Sequence, residues 1–496
     1  MTIANETPHA AAGLRPELRQ EYGLFIDGQW ARSASGRTAV SYDPSTEQPL
    51  ASVAVADEAD ADRAARAGAA AWRGWWESGW QHRAAVLREM ARRLADRADE
   101  FARIDAIDGG IPVAGMRKDV ANSVNYLLYY AGVASELKGE TIESGAGSIN
   151  LTLREPYGVV GRIVPFNHPL QFAVQGIAGP LAAGNAIVLK PSDHTPISAL
   201  HFAELVADLV PAGLINILPG DGRTGAAIVG HPLIPRIAFT GSIASGKAVL
   251  RAAAEHIKPV SLELGGKNPM IIHPDVNIDA VADAAVVAMN LRRGQGQSCG
   301  SPSRIFAHAA IHDDFVAAVE DRLARFRTGD PLDEATDMGP LAFRAHYDRV
   351  VGYVESAHGQ GARLVTGGAR PDGLDEGLYL APTVFDGVTP DMTIANDEIF
   401  GPVISVLRWA DQADVLRVAN SLPVGLTANI WTNDLSAALR LAKEVDAGYV
   451  WVNGQGQRPL GAPFGGHKLS GIGSENDLAE LLSYTKVKNI NLSTLA

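Results

Sequence analysis

Cys299, the one cysteine of the chain, lies in the run GQGQSCGSPSR, among small and polar residues rather than the Leu, Val and Ile that usually surround a structural thiol. A lone cysteine excludes a disulfide framework and any thiolate-built zinc or iron–sulfur site, and no metal-ligand spacing appears elsewhere. The sulfur is then either packing or a reagent. Ser298 and Gly300 leave it approachable, with its backbone N–H available as an oxyanion donor. A nucleophile also needs surroundings that favour the thiolate, so both readings stay open. Glu263, in LELGGK, stands before Gly265 and Gly266, where a ligand can approach backbone that carries no side chains. A surface glutamate before a turn is the plainer reading. His168 and His194 read as ordinary loop or cap residues.

Two further segments have the glycine spacing of nucleotide loops. Gly220, Gly222 and Gly225 in PGDGRTG match G-x-G-x-x-G, but the next strand, RIAFTGS, lacks the acidic residue that would hold a ribose hydroxyl. A turn and helix cap competes with the dinucleotide reading there. Gly241 to Lys247, GSIASGK, has the spacing of a triphosphate loop, yet Ala248 stands where magnesium would need Ser or Thr. What survives is a helix N-terminus whose free N–H groups can hold a pyrophosphate without a metal.

These residues need elements to position them. From Val159 the apolar runs VVGRIV, AIVLK, INIL and RIAFT alternate with turns and helix-compatible stretches such as SALHFAELVADLV, the pattern of βαβ units and a mainly parallel sheet. After Gly266 a second series follows, MIIH, SRIFAH, VISVLRW, TANIWT and GYVWVN, with DDFVAAVEDRLARF as an intervening helix. Two α/β domains are expected, meeting near Gly265-Gly266. Between Glu58 and Ile107, Leu87, Met90, Leu94 and Phe101 recur at the spacing of one buried helix face. Ile149, Leu151 and Leu153 alternate with polar residues as in a half-exposed strand, and YTKVKNINL alternates again near the end, where a strand must find a partner edge. Residues 1–20 read as a loose polar lead-in.

Composition narrows the class. At 496 residues the chain has room for two or three domains, and 46% hydrophobic against 20% charged residues excludes dominant disorder. With 43 Lys and Arg against 56 Asp and Glu, the net charge of −13 disfavours nucleic acid as a partner. No apolar run reaches the roughly 18 residues of a membrane span, and MTIANETPHAAAGLRPELRQ contains no secretory core. A soluble, cytoplasmic enzyme or binding protein is the expectation.

Taken in order, the segments resemble the aldehyde dehydrogenase superfamily from about Leu24 to Leu492. They are PFNHP (165–169), KPSDHTP (190–196), FTGSIASG (239–246), LELGGK with Glu263, GQSC with Cys299, EIFGP (398–402) and PFGGHKLSGIGSE (463–475). The resemblance implies the α/β aldehyde dehydrogenase fold: two Rossmann-like open-sheet domains and a small β oligomerisation element. The coenzyme domain would comprise 21–136 and 157–264, the catalytic domain 265–466, and the bridging element 137–156 and 483–494. It also demotes PGDGRTG as the pyrophosphate site.

The resemblance further implies that the Cys299 thiolate attacks an aldehyde, that the thiohemiacetal is oxidised to a thioester, and that Glu263 activates the water that hydrolyses it. Asn167 and the N–H of Cys299 would hold the oxyanion. NAD is the implied cofactor, with NADP admitted: Lys190 and Asp193 at the adenosine ribose, Ser242 with Gly241 and Gly246 around the pyrophosphate, Glu398 at the nicotinamide ribose, and Phe400 and Phe166 beside the nicotinamide. His168, Arg293 and Phe464 would meet the substrate. A homodimer or homotetramer is implied, since the family pairs its exposed strand edges between subunits.

Departures from the family pattern bear on specificity. Asp193 stands where Glu is usual, which weakens exclusion of NADP. Gly176 replaces a lysine that many relatives place on a proton path with Glu475, and Ser474 replaces an arginine. Arg292 and Arg293 stand where aromatic residues are frequent. They either face the substrate tunnel and select a carboxylated or polar aldehyde, or lie in a solvated loop. Two alternatives remain beside hydrolytic oxidation. An acylating enzyme would use coenzyme A, against which Glu263 argues; a non-catalytic relative would have no reason to keep Cys299, Glu263 and Asn167 together.

Overall fold

The strands Val159–Ile163, Ala186–Lys190, Ile215–Ile217 and Arg236–Thr240 are buried at every residue, which is why they read as continuous apolar runs rather than alternating ones. In the computed structural model, which describes residues 15–145 and 147–493, they form the parallel core of an eight-stranded sheet. Across it the order is Val260–Glu263, Arg236–Thr240, Val159–Ile163, Ala186–Lys190, Ile215–Ile217, all parallel. Strand order reverses between Val159–Ile163 and Arg236–Thr240, so a ligand crevice is expected beyond the carboxyl ends of those two strands. The hairpin Leu24–Ile26 and Gln29–Ala31 extends one edge, and Gly471–Ile472 closes the other in antiparallel pairing.

The second series forms a seven-stranded sheet ordered Arg363–Thr366, Thr383–Asp386, Val403–Trp409, Arg304–His308, Pro269–Ile272, Thr427–Trp431 and Tyr449–Val452. All neighbours are parallel except the first pair. A third sheet joins Ser148–Pro156 to Thr485–Ser493 along nine antiparallel pairs, with Thr141–Glu143 on the far side. Its apolar side chains Ile142, Ile149, Leu153, Val487 and Leu492 stay 45–59% exposed.

Two expectations need correction. The single helix face between Glu58 and Ile107 belongs to three helices, Glu58–Glu77, Gly79–Asp96 and Ala98–Gly109. Gly79 turns to φ +84° and Arg97 leaves the helical region, yet Leu87, Met90, Leu94 and Phe101 remain on one core because only a single residue separates the last two helices. The loose lead-in is also not what residues 15–20 form. Arg15 pairs with buried Asp43 at 2.7 Å, and Arg19 pairs with Glu204 at 2.5 Å while lying over the Trp30 ring. Residues 1–14 lie outside the described residues. PGDGRTG, which the resemblance demoted as a pyrophosphate site, is a turn and cap: Asp221 accepts from the N–H groups of Arg223 and Thr224 at the start of helix Gly222–Gly230, occupying the donors a phosphate would need. No helix of the described residues is long and apolar enough to cross a membrane.

Candidate active site

Cys299 enters the strand Arg304–His308 from a tightly wound turn. Asn290 and Gln295 flank the short helix Leu291–Gly294 with φ of 57° and 52°, and Gly296 follows at 72°. Left-handed backbone at non-glycine residues costs on the order of 1–3 kcal/mol each and persists only where neighbours over-determine it. Here they do. The Gln297 side chain donates to Gly294 O at 3.1 Å and Gln295 Oε1 at 3.0 Å, and accepts from the Ala342 N–H. Asn268 donates to the carbonyls of Cys299 at 2.7 Å and Ser301 at 3.0 Å, and itself accepts from the Thr427 N–H. A Cβ on Gly296 would overlap the Gly401 carbonyl, so no other residue fits that turn.

Asn167 follows the strand Val159–Ile163, and Glu263 ends the strand Val260–Glu263, so both project from the carboxyl edge of the eight-stranded sheet toward the turn carried by the seven-stranded one. The three residues line one cavity of about 1000 Å³, together with His168, Arg293 and Phe464. Asn167 Nδ2 donates to Gln297 O at 2.8 Å, which leaves its second N–H unused. Burial, then the charge of Glu475, holds the Glu263 carboxyl well above its usual range, and its Oε2 has no hydrogen-bond partner among the described residues. Burial also pushes the Cys299 thiol up to about 11, with Arg458 the main opposing influence.

Behind Glu263 lies a second carboxylate. Glu475 Oε1 is 2.7 Å from the guanidinium of Arg162, which is 1% exposed, and Gln175 Nε2 donates to Glu475 Oε2 at 2.9 Å. Arg162 donates further to Thr240 Oγ1 at 3.0 Å. A Cβ on Gly176 would lie 2.7 Å from Arg162 Cγ, so a side chain at 176 and this arginine would compete for one space. The cation beside Glu475 comes from the sheet, not from the helix Pro169–Ala182.

The residues expected at a cofactor sit at the same carboxyl edge but do not line that cavity. Ser242 caps the helix Ile243–Ala254, and Gly246 is buried where a Cβ would meet Leu264. Lys190 is buried, donates to Pro191 O at 3.0 Å and has its pKa lowered by desolvation, while Asp193 beside it is exposed. Glu398 accepts from the Gly266 N–H at 3.0 Å, and Gly265 packs so closely on that carboxylate that a Cβ would overlap it. Phe166 and Phe400 meet edge to face at 5.7 Å, and the Phe400 carbonyl accepts from His346 Nε2 at 2.7 Å. His194 stacks on Phe343 at 3.6 Å, in keeping with an ordinary loop role.

The two arginines before the nucleophile both line the cavity and are both paired. Arg292 pairs with Asp337 at 2.7 Å and lies over Phe326, the solvated-loop arrangement. Arg293 reaches the cavity, but its charge is matched by buried Asp119, which also holds His168 Nδ1 at 2.5 Å. Sequence reasoning passed over Asp119, Arg162, Asn268 and Arg458. Only Arg162 left a usable signal, as an arginine inside the apolar run VVGRIV.

Comparison with known proteins adds an independent line. A family model described as the aldehyde dehydrogenase family matches residues 30–490. The aldehyde dehydrogenase tropH of Talaromyces stipitatus is 40% identical over 485 residues, 96% of this chain and 94% of its own. Among solved structures, the NAD+ complex of an aldehyde dehydrogenase from Bacillus cereus is 36% identical with a TM-score of 0.93, covering 97% of this chain and 99% of that one. The P. syringae indole-3-acetaldehyde dehydrogenase AldA, in complex with NAD+ and IAA, is 36% identical with a TM-score of 0.93, covering 96% and 97%.

Proposed function

The chain belongs to the aldehyde dehydrogenase family, and from that premise we propose that it oxidises an aldehyde to a carboxylic acid through a thioester on Cys299, with NAD as hydride acceptor and water as acyl acceptor. The observation that carries the reading is the convergence of Cys299, Glu263 and Asn167 on one cavity from two different sheets. Cys299 adds to the aldehyde carbon, and the unpaired Oε2 of Glu263 is the atom that takes the thiol proton. The second N–H of Asn167 and the backbone N–H of Cys299 hold the oxyanion, each such donor contributing about 3–4 kcal/mol in comparable sites. NAD, when bound, supplies the acceptor for the hydride that the thiohemiacetal loses. What remains on the sulfur is a thioester. Glu263 gives up that first proton to solvent and then draws one from water, whose oxygen adds to the thioester; the C–S bond breaks, the acid leaves, and the proton held on Glu263 restores the thiol.

For the cofactor the residues present fit. Ser242 and the helix it caps suit a pyrophosphate, Lys190 and Asp193 an adenosine ribose, and Glu398 the other ribose, with Phe166 and Phe400 beside the nicotinamide. The exposed carboxylate of Asp193 disfavours a 2′-phosphate, so kcat/KM is expected to be higher with NAD than with NADP. The residues 21–136 with 157–264 act as the coenzyme domain and 265–466 as the catalytic domain. The exposed apolar side chains of the third sheet support a dimer or tetramer built through it, which light scattering would size. A panel of aliphatic, aromatic, hydroxylated and carboxylated aldehydes, with each cofactor and with or without coenzyme A, tests the whole reading. Absence of NADH or NADPH from every aldehyde overturns it, and an acyl-coenzyme A product overturns water as acceptor.

A further inference from the structure

Arg458 also lines the cavity. Its guanidinium lies over the Phe464 ring at 3.9 Å and within 6.0 Å of Trp451, and it packs against Gly300 so closely that a Cβ there would overlap it. The aromatic rings occupy its flat faces but leave the five N–H donors of its edge unused. Among the described residues it has neither a carboxylate nor a hydrogen-bond partner. The other arginines of the cavity are matched, Arg293 by Asp119 and Arg292 by Asp337. The carboxylates that line it are Glu263 and Glu475, and Glu475 is held by Arg162. Amides such as Asn122, Gln171 and Gln457 share the rest of the wall with Tyr126, Tyr129 and Phe172.

We infer that Arg458 is the specificity residue of this site and that the preferred aldehyde carries a carboxylate, as in the semialdehyde of a short dicarboxylic acid. The inference rests on the aldehyde-oxidising function proposed above. A planar guanidinium with a free edge pairs a carboxylate through two parallel N–H bonds. Because Gly300 is the neighbour of the nucleophile, a carboxylate held there lies only a few carbons from the carbonyl that Cys299 attacks. This moves charge selection from Arg293, where the sequence suggested it, to the opposite end of the catalytic domain sequence.

The test compares succinic semialdehyde with its neutral amide, 4-oxobutanamide, in the wild type and in the variants Arg458→Gln, Arg458→Met and Arg458→Lys. The wild type is expected to favour the acid by about 10²-fold in kcat/KM, the scale of a charge-assisted bidentate pair. Arg458→Gln and Arg458→Met should bring that preference within about threefold, mostly through KM, while Arg458→Lys keeps part of it. Arg458 also favours the Cys299 thiolate, and the resulting loss is common to both substrates, so the ratio between them reads recognition alone. Equal use of acid and amide by the wild type, or a preference that survives in the Gln and Met variants, overturns the role of Arg458. Failure of the wild type to reduce either cofactor with any aldehyde would instead overturn the dehydrogenase reading on which it rests.

Discussion

Arg162 and Arg458 sit on two sides of the same reaction centre and are treated in opposite ways. Arg162 is 1% exposed and its charge is answered by Glu475, Thr240 and the space that Gly176 vacates. Among the described residues, Arg458 meets aromatic faces and no anion. The difference separates two tasks. A group that sets the electrostatics of a base must be fixed before the substrate arrives, because any reorganisation during the reaction adds to the barrier. A group that recognises a charged substrate must be left unpaired, because a resident partner would compete with it. Arg293 belongs with the first kind despite its position on the cavity wall, since Asp119 already holds it.

That division can be broken or sharpened by measurement. The largest effect is expected at the nucleophile: Cys299→Ser should lower NADH formation by about 10⁴-fold or more at saturating aldehyde. Activity near wild type would place the chemistry elsewhere. Glu263→Gln is expected to cost about 10²–10⁴ in steady-state kcat and to leave a pre-steady-state burst of NADH, because hydrolysis suffers more than oxidation. A missing burst would assign Glu263 chiefly to activating the thiol. Asn167→Ala should lose about 10²–10³ in kcat with cofactor affinity retained, which titration with NAD would check.

The pH dependence has a definite sign. Burial raises both Glu263 and Cys299, and one proton must leave this pair before the sulfur can attack, so kcat/KM should climb with pH by about a decade per unit through neutrality and fall as pH drops. A maximum on the acid side would contradict the assignment. The smallest effect concerns stability. A carboxyl whose folded pKa is raised contributes fully below its unfolded pKa, and that contribution is lost as pH rises through the folded value. Glu263→Gln should therefore match the wild type in Tm near pH 4 and exceed it near pH 8.

The parallel strands were legible because burial on both faces writes an uninterrupted apolar run, as in AIVLK and RIAFT. The edge strands Gln29–Ala31 and Arg363–Thr366 carry mixed residues and short lengths, and no such pattern marks them. At the site, Cys299, Glu263 and Asn167 were legible through the order of their motifs. Asp119 was not, since its partners lie 49 residues away at His168 and 174 away at Arg293, and no local pattern links them. The break at Arg97 escaped for a related reason: the apolar period runs straight across it, so the sequence reports the shared core and not the interruption of the backbone.

Strand Val260–Glu263 pairs with Gly471–Ile472, Leu262 opposite Ile472 and Glu263 opposite Gly471. The chain leaves the eight-stranded sheet just after this strand and rejoins it there, so everything from 265 to 470 is a loop-out whose two covalent crossings sit side by side. Glu263 stands at that crossing, and Cys299 lies within the loop-out. Contacts remote from the crossing hold the loop-out in place, among them Asn167 to the Gln297 carbonyl, Gln295 to the Gly110 carbonyl and Arg117 to Glu334. The spacing of sulfur and carboxylate is therefore set by how the two sheets dock, and a substitution at a remote clamp can disturb it without touching either residue.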